Sequence, residues 1–260
     1  MSILMPVLVL SIMGILFGIL LGVAAKVFRV EKDERIEKIA ELLPGANCGG
    51  CGYAGCAGFA EAVVRGEAKP NGCPGTKDEN IQKIAEIMGV TVKSGPKMVA
   101  RVLCKGTCDN VSQKCTYDGI SDCVASNRYG GGDKACEYSC CGLGSCVSVC
   151  RFGAIKIENG VAVIDEEKCT ACGMCVKTCP RKVIIILPKD KKTYVACKSK
   201  EKGAAMKDIC KAGCIGCKLC EKACEYDAIS VKDNLAEIDY AKCTDCGACA
   251  EKCPKKVINY

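Results

Sequence analysis

Read by the spacing of its apolar positions, the chain opens on an unbroken run. SILMPVLVLSIMGILFGILLGVAA (2–25) carries no charge from end to end, which predicts a helix able to cross a hydrocarbon core of about 30 Å. Helical periodicity follows. GFAEAVVRGE (58–67) predicts a short helix. DENIQKIAEIMG (78–89) predicts an amphipathic helix with Ile81, Ile84, Ala85, Ile87 and Met88 on one face and glycine at its end. TVKSGPKM has the composition of a linker. Further on the period falls to two. CRFGAIKIENGVAVID from Cys150 and CEYDAISVKDNLAEID from Cys224 each predict a strand, a polar turn and a second strand, hence a short hairpin. The offset from Cys150 to Cys224 recurs from Cys169 to Cys243, so the chain contains an internal repeat.

Composition changes what can hold such segments together. Of 260 residues 27 are cysteine, against four Phe, eight Tyr and no Trp, so cysteine chemistry substitutes for bulky packing. Histidine is absent. That excludes mixed Cys/His zinc fingers, Rieske centres, His-ligated haem and Cys–His catalysis. Disulfides, all-thiolate zinc and iron–sulfur clusters remain. Lys26 and Arg29 are the first charges after the apolar run, which favours a cytoplasmic C-terminal side. A cleaved signal peptide is the alternative, but the run is too long for one and lacks a basic start. Cytoplasmic thiols stay reduced, which disfavours disulfides. The net charge of +7 counts every cysteine as neutral. Five four-iron clusters, each with about two negative charges, would bring it to about −3. The balance is therefore no nucleic-acid footprint, and no nucleic-acid partner is expected.

The cysteine spacings favour clusters. Cys48-x2-Cys51-x4-Cys56-x16-Cys73 lies among paired glycines that let backbone wrap a bulky inorganic core; its long return to a single cysteine suits zinc poorly. CTACGMCVKTCP places Cys169, Cys172, Cys175 and Cys179 before Pro180, and CTDCGACAEKCP repeats this with Cys243, Cys246, Cys249, Cys253 and Pro254. This is the run of two-cluster bacterial ferredoxins, whose fourth cysteine serves the other cluster. Each therefore needs a partner run upstream: Cys214, Cys217, Cys220 and Cys224 for the second, Cys140, Cys146 and Cys150 for the first. In the irregular first run, Cys136 or Cys141 competes with Cys140. Cross-ligation then groups Cys214, Cys217 and Cys220 with Cys253; Cys243, Cys246 and Cys249 with Cys224; Cys169, Cys172 and Cys175 with Cys150; and Cys146 and Cys136 or Cys140 with Cys179.

Five [4Fe-4S] clusters are expected on these ligands. Cys104, Cys108, Cys115 and Cys123 are candidates for a sixth, the alternative being reduced thiols or a small zinc site. RVLCKGTC and YVACKSKEKG, around Cys104 and Cys197, read as a worn part of the same repeat. The lysine-rich KDKK (189–192) and KSKEK (198–202) read as solvated faces first and docking sites for an acidic partner second. No dinucleotide fingerprint, phosphate loop or nucleophile elbow occurs, and no acid–base or covalent catalyst stands out.

Anchor, ANCGGCGYAGC…CPG and CRFGAI…CTACGMCVKTCP, in that order, resemble the B subunit of the Rnf complex, in its longer form with a further C-terminal ferredoxin module. The resemblance implies a subunit of an ion-translocating ferredoxin:NAD+ oxidoreductase. Reduced ferredoxin would deliver electrons to the C-terminal clusters, and they would leave through the first cluster beside the membrane. Other subunits would supply flavin, nicotinamide site and ion path. The expected fold is α+β: an anchor (1–26), a small helical cluster module (32–91), a Cys-containing linker region (92–134) and two ferredoxin-like modules (135–188 and 189–260). The alternatives are a polyferredoxin of a membrane hydrogenase or other reductase, and a membrane-tethered zinc-binding interaction protein.

Overall fold

The computed structural model describes residues 4–27, 33–92 and 95–260. The apolar run forms α1 (Leu4–Val27), 24 residues with a single basic residue, Lys26, in its last turn. At 1.5 Å per residue it is about 36 Å long, enough to span a bilayer core. The Ser11 hydroxyl donates to Val7 O at 2.8 Å, so the helix satisfies this polar side chain itself.

Three helices make a small apolar module. In α2 (Glu34–Leu42) the Asp33 carboxylate caps the start by accepting from Arg35 N. The next helix, α3 (Cys56–Val64), begins two residues before the predicted Gly58, because its first amide, Cys56 N, is met at 2.8 Å by Asn47 Oδ1 from nine residues upstream. In α4 (Asp78–Met88), Gly89 (φ 65°) and the Val90 N–H, which reaches Ala85 O at 2.9 Å, close the end in a left-handed cap. Ile39, Phe59, Val63 and Ile84, all at most 1 % exposed, pack where the three helices meet.

The rest of the chain is two copies of one design. The first copy runs β1 (Met98–Val102), α5 (Cys123–Arg128), α6 (Ser145–Ser148), β2 (Ile155–Glu158), β3 (Val161–Ile164), α7 (Met174–Thr178) and β4 (Ile184–Pro188). The second runs β5 (Tyr194–Val195), α8 (Gly203–Ile209), α9 (Leu219–Lys222), β6 (Ile229–Lys232), β7 (Leu235–Ile238), α10 (Ala248–Glu251) and β8 (Ile258–Asn259). The predicted hairpins are present: β2 pairs β3 with Ile155 opposite Ile164, and β6 pairs β7 with Ile229 opposite Ile238. Each turns on two residues with positive φ, Asn159-Gly160 and Asp233-Asn234, the requirement of the type I′ turn that matches strand twist. Each copy also closes a second ribbon, β1 on β4 and β5 on β8. In these ribbons Val102 faces Ile184 and Val195 faces Ile258.

Candidate metal centres

Cysteines from separate elements converge on hollows. Cys48, Cys51, Cys56 and Cys73 line one, walled by Phe59, Pro44 and Phe152. Cys214, Cys217, Cys220 and Cys253 line a second, and Cys224, Cys243, Cys246 and Cys249 a third. Each ferredoxin-like run thus splits three-plus-one between two sites. The split follows from local geometry: a short helix carries the third cysteine inward, and the chain then leaves with the fourth pointing to the neighbouring hollow. In the first copy Cys175 lies within Coulombic reach of Cys169, Cys172 and Cys150.

The donor set fits a polynuclear core. Among the described residues no three His, Cys, Asp or Glu side chains close on a point where one metal ion would sit. Four-thiolate zinc, with Zn–S near 2.3 Å, would hold the sulfurs about 4 Å apart. Four thiols lining one hollow without closing on a single point suit a core that is itself several atoms wide. Backbone amides also point at sulfur: Ala154 N to Cys150 and Ala228 N to Cys224 at 3.4 and 3.3 Å, one copy reproducing the other, and Ala100 N to Cys169 at 3.4 Å. Such donors favour thiolate over thiol. In the bare protein burial opposes them, pushing Cys175, Cys220 and Cys249 up to about 11, with neighbouring thiolates adding to the rise. Cys146 is pushed to about 12 for the same reasons. Bound iron must therefore displace protons here.

The irregular run resolves differently from its twin. Cys146 lies within Coulombic reach of Cys140, Cys123 and Cys179. Cys123 opens α5, fixed by Asp122: its Oδ1 accepts from Val124 N and Ala125 N at 2.9 and 2.8 Å, and its Oδ2 accepts from the Ser145 hydroxyl at 2.6 Å. Ser145 Oγ in turn accepts from Cys123 N at 2.6 Å. A hydrogen bond from Cys141, opposed by burial but joined by Ser145 and the Leu143 amide, brings the Cys123 thiol down to about 5. Its partner Cys141 is pushed well up by the same bond.

Three expectations shift. Cys136 does not join Cys140, Cys146 and Cys179; it lies with Cys104, Cys197 and Cys210 around a separate hollow. The structure does not bring Cys104, Cys108, Cys115 and Cys123 together. Cys108 is exposed against Gly160, and Cys115, also exposed, donates to Gly132 O at 3.5 Å. Nor are the lysine-rich segments simply solvated. Lys191 Nζ donates to Cys243 O at 2.8 Å, and Lys198 Nζ donates to Lys182 O at 2.9 Å.

The sites adjoin one another. Gly50 approaches Cys172 so closely that a Cβ would lie 2.5 Å from its carbonyl oxygen, which docks the helical module on the first copy and sets Cys48 beside Cys172. Cys175 neighbours Cys146. Lys134, 3 % exposed, spends its ammonium on three carbonyls, Gly106, Cys140 and Gly160, at 2.6–2.9 Å.

Sequence comparisons agree with this arrangement. The family described as "Putative Fe-S cluster" matches residues 43–74, a 4Fe-4S binding domain matches 162–185, and a 4Fe-4S dicluster domain matches 213–257. The B subunit of the Na(+)-translocating ferredoxin:NAD(+) oxidoreductase complex of Acetobacterium woodii is 43 % identical over 99 % of this chain and 78 % of its own length. The B subunit of the ion-translocating oxidoreductase complex of Methanosarcina acetivorans is 41 % identical over 96 % of this chain and 95 % of its own. That of the proton-translocating ferredoxin:NAD(+) oxidoreductase complex of Clostridium ljungdahlii is 41 % identical over 99 % and 92 %. The chain belongs to the family of iron–sulfur B subunits of ion-translocating, Rnf-type ferredoxin:NAD+ oxidoreductase complexes.

Proposed function

We propose that this subunit receives electrons from reduced ferredoxin at its C-terminal copy and delivers them, beside the membrane, to partner subunits that carry flavin and nicotinamide sites. Five four-iron clusters are assigned. Their ligands are Cys48, Cys51, Cys56 and Cys73; Cys150, Cys169, Cys172 and Cys175; Cys123, Cys140, Cys146 and Cys179; Cys214, Cys217, Cys220 and Cys253; and Cys224, Cys243, Cys246 and Cys249. When bound, such clusters supply one-electron redox chemistry. The protein's own part is to hold them in series, exclude water and set their charge environment with amide donors and Lys134. Lys26 at the end of α1 supports a cytoplasmic location for the cysteine-bearing region.

One observation carries the direction. On the first copy, Phe152 and Cys172 are covered by the helical module. Their counterparts in the second copy are Tyr226, 50 % exposed, and Cys246, also exposed. The face that takes an internal electron partner in one copy is open in the other, and exposed Lys242 adjoins it. In the assembled complex, Tyr226→Ala and Lys242→Glu should raise the reduced ferredoxin concentration needed for half-maximal NAD+ reduction without changing iron content. Cys51→Ala should stop NAD+ reduction while ferredoxin still reduces the remaining clusters. Undiminished NAD+ reduction in Cys51→Ala would overturn the reading.

A further inference from the structure

Cys104, Cys136, Cys197 and Cys210 belong to none of the ferredoxin runs, yet they line one hollow. The two copies explain how they meet. Cys136 and Cys210 are equivalent under the internal repeat, each four residues before the first ligand of its run, and each is 6 % exposed. Cys104 and Cys197 are equivalent by strand register, each two residues past the position that faces Ile184 or Ile258. Leu103 N donates to Val183 O at 2.7 Å and Ala196 N to Val257 O at 2.8 Å, which fixes the same alignment. Each copy therefore brings the same two cysteines to the hollow.

The contacts between copies are reciprocal. Lys105, following Cys104, donates to Lys256 O of the second copy at 2.7 Å; Lys198, following Cys197, donates to Lys182 O of the first at 2.9 Å. Lys182 and Lys256 are themselves equivalent under the repeat, each following its run's closing Cys-Pro at the same distance. This is a self-complementary interface within one chain, with a pseudo-twofold axis through the hollow. Amides again face sulfur: Gly106 N and Cys140 N donate to Cys104, each at 3.3 Å, and Cys214 N donates to Cys197 at 3.4 Å.

We propose that Cys104, Cys136, Cys197 and Cys210 bind a sixth four-iron cluster, built half from each copy. It rests on the reading of the ferredoxin runs as four-iron sites and supplies the link between them. The amide bonds to Cys104 and Cys197 come from Cys140 and Cys214, so the site adjoins a ligand of the set on either side. An electron that arrives from one side and leaves to the other changes no bond, and the two copies become one continuous path.

The test compares full-length protein, purified anaerobically, as wild type, as Cys136→Ala/Cys210→Ala and as the control Cys108→Ala/Cys115→Ala. The first double variant should lose about four iron and four sulfide per chain and the control none; equal contents in all three would overturn the proposal. Should that variant fail to fold, Cys197→Ser decides. With an oxygen ligand in place of sulfur, one iron environment should change in the Mössbauer spectrum, and a spectrum identical to wild type would refute the site. The two readings fail differently. Wild type without iron defeats the ferredoxin-run reading too, whereas about 20 iron with indifferent variants defeats only the sixth site.

Discussion

The two copies share hairpins, turn geometry and amide-to-sulfur bonds at matching positions, but the ligand sets proposed for their first clusters are drawn together by different routes. In the second copy Cys214, Cys217 and Cys220 come from one tight run. In the first, the position matching Cys217 is Leu143. Cys123 arrives instead from the connection between Cys104 and Cys136, which is much longer than its counterpart between Cys197 and Cys210. The Leu143 amide faces the Cys123 sulfur, so the imported thiol sits where the missing one would have been. The copies also differ in charge: the residue matching buried Lys134 is exposed Asp208. A cluster needs four sulfurs around one space, and the fold can draw them from any element that reaches it.

The largest expected effect follows from that substitution of route. Cys123→Ala should cost the first copy one cluster, read as a loss of about four iron per chain or conversion to a three-iron EPR signal. Adding Leu143→Cys should restore iron content by giving the first copy the tight run of the second. Rescue by Leu143→Cys would sharpen the equivalence; wild-type iron in the single variant would break it.

Lys134 gives the next effect. Replacing it with Met removes a buried positive charge beside Cys140 and leaves three carbonyls without their donor. We expect a loss of about 3 kcal/mol in denaturant unfolding. One cluster potential should fall by on the order of tens of millivolts in a redox titration. Asp208→Asn in the other copy should change neither. Asp122→Ala removes the cap of α5 and the anchor of Ser145, which should lower the unfolding midpoint slightly and broaden the EPR signal from the cluster that Cys123 is proposed to serve. Smallest are Lys105→Met and Lys198→Met, about 0.5 kcal/mol each. Their near-equality is the informative outcome, because the pseudo-twofold interface makes them the same contact twice.

Much of this was readable in the sequence, and the misses share a cause. The anchor, the α4 face through Ile81 and Ile84, the hairpins and the internal repeat all follow from local spacing, and local spacing survived. Cys214, Cys217 and Cys220 were legible for the same reason. Cys136 was not, because its companions Cys104, Cys197 and Cys210 are collected from separate segments by the pairing of two copies. The match of Cys104 with Cys197 shows in the sequence as a worn repeat, but not that the two meet Cys136 and Cys210. Proximity in sequence groups Cys123 with Cys108 and Cys115, whereas Asp122 and Ser145 bind it to α6. The ribbons formed by β1 with β4 and β5 with β8 carry too few residues to announce themselves. One signal was available: Cys136 and Cys210 repeat at the same interval as the ferredoxin runs.

The central claim is that these cysteines hold iron–sulfur clusters in one connected series. Iron, acid-labile sulfide and zinc per chain, measured on the anaerobically purified full-length protein, test it most directly. The expected result is about 24 iron and about 24 sulfide with no stoichiometric zinc. Zinc in place of iron, with little sulfide, would contradict it.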